Sequence, residues 1–103
     1  MSDKNLPIIK TVVHQYLPGS RILLFGSRAR RTNREDSDYD ILVLIDKELT
    51  PKERMPFRTA IRVKLIESDI LSEILVQSES EVNIKKNWAG HIIRTALQEG
   101  IWL

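Results

Sequence analysis

The stretch that decides the fold runs from Leu24 to Ile45, LFGSRARRTNREDSDYDILVLI. Two apolar runs enclose a polar loop. The loop opens on Gly26-Ser27, carries Arg28, Arg30, Arg31 and Arg34, and closes on Asp38-Tyr39-Asp40. The first run, residues 21–25, reads as a short buried strand that Gly26-Ser27 ends. The second, residues 38–45, is β-branched and aliphatic at its far end and reads as a strand covered there on both faces. The intervening SRARR suits a single helical turn. A connection of about a dozen residues is long for a hairpin, and such loops are often functional.

Strand side chains alternate between faces, so Asp38 and Asp40 project from one face with Cα atoms roughly 6.5–7 Å apart. At about 6 Å and an effective dielectric near 20, two carboxylates repel by roughly 3 kcal/mol. A fold gains nothing from that unprompted. A hard divalent cation such as Mg²⁺ between them reverses the sign. The plain alternative is that the aspartates of EDSD form a turn. Gly26-Ser27 weighs against it, because glycine admits close approach of a ligand. The N–H groups that follow, with the Ser27 hydroxyl, can cradle an anion. A phosphate cradle facing metal carboxylates is the layout that phosphoryl and nucleotidyl transfer require.

The rest of the chain fits around these strands. Residues 5–17 read as a helix with Asn5 as cap, stopped by Pro18-Gly19. Thr50-Pro51-Lys52-Glu53 has the form of a capping box with proline at the first helical position, opening a helix to about Glu67. Pro56 predicts that the continuous helix starts only at Met55 or Pro56, after a separate turn. Residues 73–77 read as a third strand. Ser78 and Glu81 form a second capping box before a short helix. A last helix spans 87–99 and is stopped by Gly100. The chain then ends in IWL.

The 103 residues are expected to form one domain, 1–103, of ordinary globular composition, 42% hydrophobic and 29% charged. A net charge of +2 is weak evidence for nucleic acid, and the arginine cluster ends in aspartates, so no specific nucleic-acid partner is expected. No apolar run spans a bilayer, and Met1-Ser2-Asp3-Lys4 lacks a signal-peptide pattern. With no cysteine, disulfides and thiolate metal sites are excluded. Together these point to a cytoplasmic protein with no membrane partner.

Gly26-Ser27, a ten-residue gap and Asp38-x-Asp40 resemble the signature of the DNA polymerase beta-like nucleotidyltransferase superfamily. FGSRAR and SDYDILV are most similar to its minimal nucleotidyltransferases (MNT type), small antitoxins paired with HEPN-domain toxins. The resemblance implies an α/β nucleotidyltransferase fold, with a small mixed β-sheet and helices packed mainly on one face. It implies transfer of a nucleoside monophosphate, AMP from ATP, to a hydroxyl acceptor, with two Mg²⁺ ions held by three carboxylates. Asp38 and Asp40 are two of these. Glu73, at the start of EILVQS where the family has aspartate, is the candidate for the third and for the base. Asp69 is the runner-up. Gly26, Ser27, Arg28 and Arg30 are then nucleotide-binding, with Arg28 the favoured phosphate contact because a guanidinium fork suits phosphate oxygens.

Two departures from the family pattern stand out: Arg31 in place of glycine, and Glu73 in place of aspartate. The expected partner is a HEPN protein, and a homodimer is a further expectation. The alternatives are an antitoxin that neutralises by contact alone and transfer to a small molecule such as an aminoglycoside. His14 and His91 are read as ordinary histidines. Trp88 and Trp102 are read as core or subunit-contact residues, and Tyr39 as pointing away from the aspartates.

Overall fold

A computed structural model describes residues 3–103. Met1-Ser2, the start of the N-terminal stretch considered above, lies outside the described residues. The elements in order are α1 (Asn5–Tyr16), β1 (Arg21–Phe25), α2 (Gly26–Arg30), β2 (Tyr39–Ile45), α3 (Pro51–Ile66), β3 (Ser72–Ser78), α4 (Glu79–Lys85), α5 (Ile92–Glu99) and β4 (Ile101–Trp102). The sheet order is β3-β2-β1-β4. Strand β2 pairs antiparallel with β1 and parallel with β3, while β4 pairs antiparallel with β1. This is the small mixed sheet expected of a nucleotidyltransferase fold.

Alternation along the strands divides the core in two. Ile22, Leu24, Ile41, Val43, Ile74 and Val76 face one side and pack with Ile9 and Val13 of α1 and Ile61 and Leu65 of α3. Leu23, Phe25, Leu42 and Leu44 face the other and meet Val82, Ile93 and Ala96, with Leu97 partly buried beside them, from the short helices α4 and α5. The two long helices thus share one face. The opposite face has the thinner cover.

Several boundaries differ from the sequence reading. Helix α1 has its N-cap at Lys4 rather than Asn5, and Asp3 caps the first N–H: an Asp3 oxygen accepts from the Asn5 N–H at 2.9 Å. Helix α3 is continuous through Pro56, because the proline lies in an exposed second turn where water can serve the one carbonyl it leaves unpaired. The Thr50–Glu53 and Ser78–Glu81 capping boxes both form. The last helix starts at Ile92, not 87, since Gly90 at φ +75° breaks the chain and His91 caps the new start through Nδ1. Gly100 is not a left-handed stop. Its φ is −74°, and a Cβ there would lie 2.6 Å from Leu23 Cγ and closer still to the Ala96 carbonyl oxygen. Close packing of α5 on β1 is what requires a glycine. The terminal IWL supplies β4, and Trp102 and Trp88 are about half exposed rather than in the core.

The outer edge of β3 is closed by arginines from α3. Arg58 Nε donates to the Ile74 carbonyl at 2.9 Å, and Arg54 Nη1 to the Val76 carbonyl at 3.1 Å. Arg54 is buried and also reaches the Leu49 carbonyl and Glu81. Breaking such a pair strands a charge in the interior, so Arg54→Ala should lower the unfolding free energy by about 3 kcal/mol, measured by urea denaturation.

Candidate active site

The site grows from the crossing of β1 and β2. Phe25, the last residue of β1, pairs with Asp40. Gly26 follows at φ +73°, and a Cβ there would lie 2.9 Å from Asp40 Cγ and nearer still to Oδ2. Glycine is therefore obligatory twice over, for its left-handed backbone and for the carboxylate that packs against it. The chain turns at this point directly into α2, so Ser27 lies in the first turn of that helix.

In the parallel register of β2 and β3, Asp40 is paired with Glu73. Their side chains share the thin face of the sheet, on neighbouring strands roughly 4.8 Å apart. Asp38 precedes β2 by one residue, so the strand starts at Tyr39 and not at 38. Burial pushes the Asp40 carboxyl above its ordinary value, and the charges of Glu73 and Asp38 push it further in the same direction. Arg30 opposes them. The charges of both other carboxylates named from sequence thus reach Asp40. The three carry only hard oxygen donors, as Mg²⁺ prefers. Among the described residues no three such groups are already drawn together as a metal centre. The donor set and the mutual repulsion at Asp40 nevertheless fit a cation at this point.

The arginines divide between the two faces. Arg28, expected at the phosphate, is turned away. Its Nη2 donates to the Glu35 and Ser37 carbonyls at 2.9 Å, its Nε donates to Ser37 at 3.1 Å, and its guanidinium lies 4.2 Å over the Tyr39 ring. Tyr39, on the face opposite Asp40, donates from its hydroxyl to Asp3 at 2.6 Å. Burial and then Asp3 raise the Tyr39 pKa. Arg28 therefore shapes the loop. Arg30 is the arginine on the acidic side.

Arg31 takes the left-handed conformation, φ 60° and ψ 34°, at the end of α2. It keeps the backbone that glycine would supply, so the loop does not change course. Asp69, also left-handed at φ 59°, lies in the turn before β3, where it serves the turn and not the site.

Glu99 was missed by sequence reading. Its Oε1 accepts from the Gly26 N–H at 3.1 Å, and both its oxygens accept from Arg30 Nη1, at 2.9 and 3.0 Å. The one clue in the sequence is an acid at a helix C-terminus, where the macrodipole disfavours it. A recess of about 200 Å³ adjoins Glu73 and is lined in part by Arg58, Arg62 and Ser72.

Comparison with known proteins bears on the family and the fold. The sequence model of the family "Polymerase beta, Nucleotidyltransferase" matches residues 8–103. A candidate protein adenylyltransferase, MJ0604 of Methanocaldococcus jannaschii, is 35% identical over 81 residues, which span 78% of this chain and 73% of that one. A toxin–antitoxin crystal structure with AMP-PNP superimposes with a TM-score of 0.63 at 22% identity, covering 97% of this chain and 72% of that chain. A complex of tri-AMPylated Shewanella oneidensis HEPN toxin with its MNT antitoxin gives 0.59 at 18%, covering 95% and 67%. At such identities the structural likeness bears on the fold.

Two outcomes follow for the free protein. A carboxyl whose folded pKa is raised costs stability once it ionises. Asp40→Asn should therefore melt above the parent at pH 7. The gap should open as pH rises from the ordinary carboxyl value of 3.8 through the raised one, and vanish below 3.8. Thermal melts across pH check it. Arg31→Gly should raise stability by about 1 kcal/mol by relieving the left-handed strain, read from urea unfolding.

Proposed function

The chain belongs to the polymerase beta nucleotidyltransferase family, and on that premise we propose that it moves AMP from ATP to a hydroxyl on a protein partner of the HEPN class. The observation that carries the reading is the meeting of Gly26, Asp40 and Glu73 on one face, with Asp38 beside them. The protein adenylyltransferase relative supports AMP as the transferred group, and the AMPylated toxin complex supports the kind of acceptor.

In this reading the 103 residues act as one domain in the cytoplasm, where ATP is supplied. Among the described residues no helix is long and apolar enough to cross a membrane. The Gly26 and Ser27 backbone and hydroxyl hold the polyphosphate, and Arg30 pairs with it. Arg28 contributes by fixing the loop. Asp38, Asp40 and Glu73 would hold Mg²⁺, one or two ions, whose chemistry when bound is to neutralise polyphosphate charge. Glu73 accepts the proton of the acceptor hydroxyl. The hydroxyl oxygen bonds to the α-phosphorus as the bond to the bridging oxygen of the β-phosphate breaks, and pyrophosphate leaves. The acceptor approaches over the thinly covered face that carries Asp40 and Glu73. Residue-poor cover on this face leaves room for a macromolecular acceptor.

A second reading, neutralisation by contact alone, draws on the exposed apolar side chains Ile84, Trp88, Ile92 and Trp102. Incubation with Mg²⁺, α-labelled ATP and a HEPN protein encoded beside this chain separates the two. Label should enter the partner and fall by about a thousandfold when Asp38→Ala and Asp40→Ala are combined, or when EDTA is added. Neutralisation that persists in the double variant without any label transfer establishes the contact mechanism instead.

A further inference from the structure

The Gly26 N–H and the Arg30 guanidinium are the donors assigned above to the nucleotide's phosphates, and in this structure one protein anion holds both. Glu99 comes from the last residue of α5, far along the chain. It receives Gly26 N–H at 3.1 Å and Arg30 Nη1 at 2.9 and 3.0 Å. The carboxylate is shielded, its side chain 22% exposed against 49% for Arg30. A helix C-terminus gives a glutamate no support. These two donors give it that support. It also adds a further negative charge near Asp40, which a fold concerned only with stability would avoid.

We propose that Glu99 is a resident stand-in for nucleotide phosphate, and that ATP binds by exchanging one anion for another at Gly26 and Arg30. The inference rests on the phosphate role given to those two residues. It makes Glu99 a specificity-determining residue. A single carboxylate offers one charge and two acceptor oxygens, whereas a polyphosphate offers more of both. The exchange therefore favours a polyphosphate and disfavours weaker anions. Between turnovers the carboxylate keeps Arg30 and the Gly26 N–H paired in their binding positions, so neither donor is left unmatched. On exchange, Glu99 leaves the vicinity of Asp40, and the repulsion it adds there is removed as nucleotide enters.

Glu99→Gln and Glu99→Ala, each compared with the parent, test this by calorimetric titration with Mg²⁺ and a non-hydrolysable ATP analogue, and by melting temperature. Glutamine keeps the size of the side chain and one acceptor oxygen, so it folds even if alanine does not. The expected result is a Kd lowered by about tenfold, matching the loss of one charge-assisted tie that nucleotide must break. The free protein should melt lower and gain more on adding nucleotide. A merely structural role for Glu99 lowers the melting temperature as well but moves the affinity the other way: nucleotide binding then weakens along with stability, and the proposal is wrong. Unchanged affinity overturns it as well. If the parent does not bind and a variant does, exchange is supported in its strongest form. If neither parent nor variants bind, the phosphate role of Gly26 and Arg30 fails, and the inference falls with it.

Discussion

The contact between Gly26 and Asp40 is the constraint on which the rest of this molecule depends. A strand must end, reverse its backbone into the left-handed region and start a helix, all within one residue of a carboxylate on the neighbouring strand. No side chain fits between them. Because the approach is so close, Asp40 loses water and its ionised form becomes costly, and Glu73 and Asp38 increase that cost. The geometry stores unfavourable electrostatics at one point, and a cation or a cationic side chain relieves it. Arg30 provides part of that relief in the free protein.

The two faces of the sheet divide the labour. One face is packed by α1 and α3 over a continuous apolar layer, and it also takes Tyr39, Arg28 and Asp3, which tie the loop and the N-terminal helix to β2. The other face has the smaller core and carries Asp40, Glu73, Arg30 and Glu99. Stability resides mainly in the first layer, which leaves the second free to hold groups that repel one another. The Arg28 case shows the division at the level of one side chain. Two arginines two positions apart on a short helix emerge on opposite sides, so one fixes the scaffold and the other meets the acids.

Much of this was legible in the sequence because the signals were local. The glycine-serine end of β1, the D-x-D at β2, both capping boxes and the order of elements through α4 all rest on spacings of a few residues. What escaped depends on distant partners. The Asp3 cap, the requirement for glycine at position 100 and the role of Glu99 are set by Tyr39, Leu23 and Gly26, each remote in sequence. The continuity of α3 through Pro56 turned on which side of the helix faces water. Trp102 went unread as a strand residue because a two-residue strand has no periodicity. It lies instead under Arg21, whose guanidinium is 4.3 Å from the ring centre.

The arginine seal along β3 limits how this protein can meet another chain. Sheets commonly recruit partners by lending an open border to an incoming strand. Here Arg54 and Arg58 already occupy the Val76 and Ile74 carbonyls, and Glu81 takes the Ser78 N–H at 3.1 Å. On the far border, β4 pairs with β1 at Leu23 and Leu24. With the β3 border closed to backbone zippering, recognition there falls to side chains and loop surface. A chain that meets this border can arrive and leave without any rearrangement of the sheet.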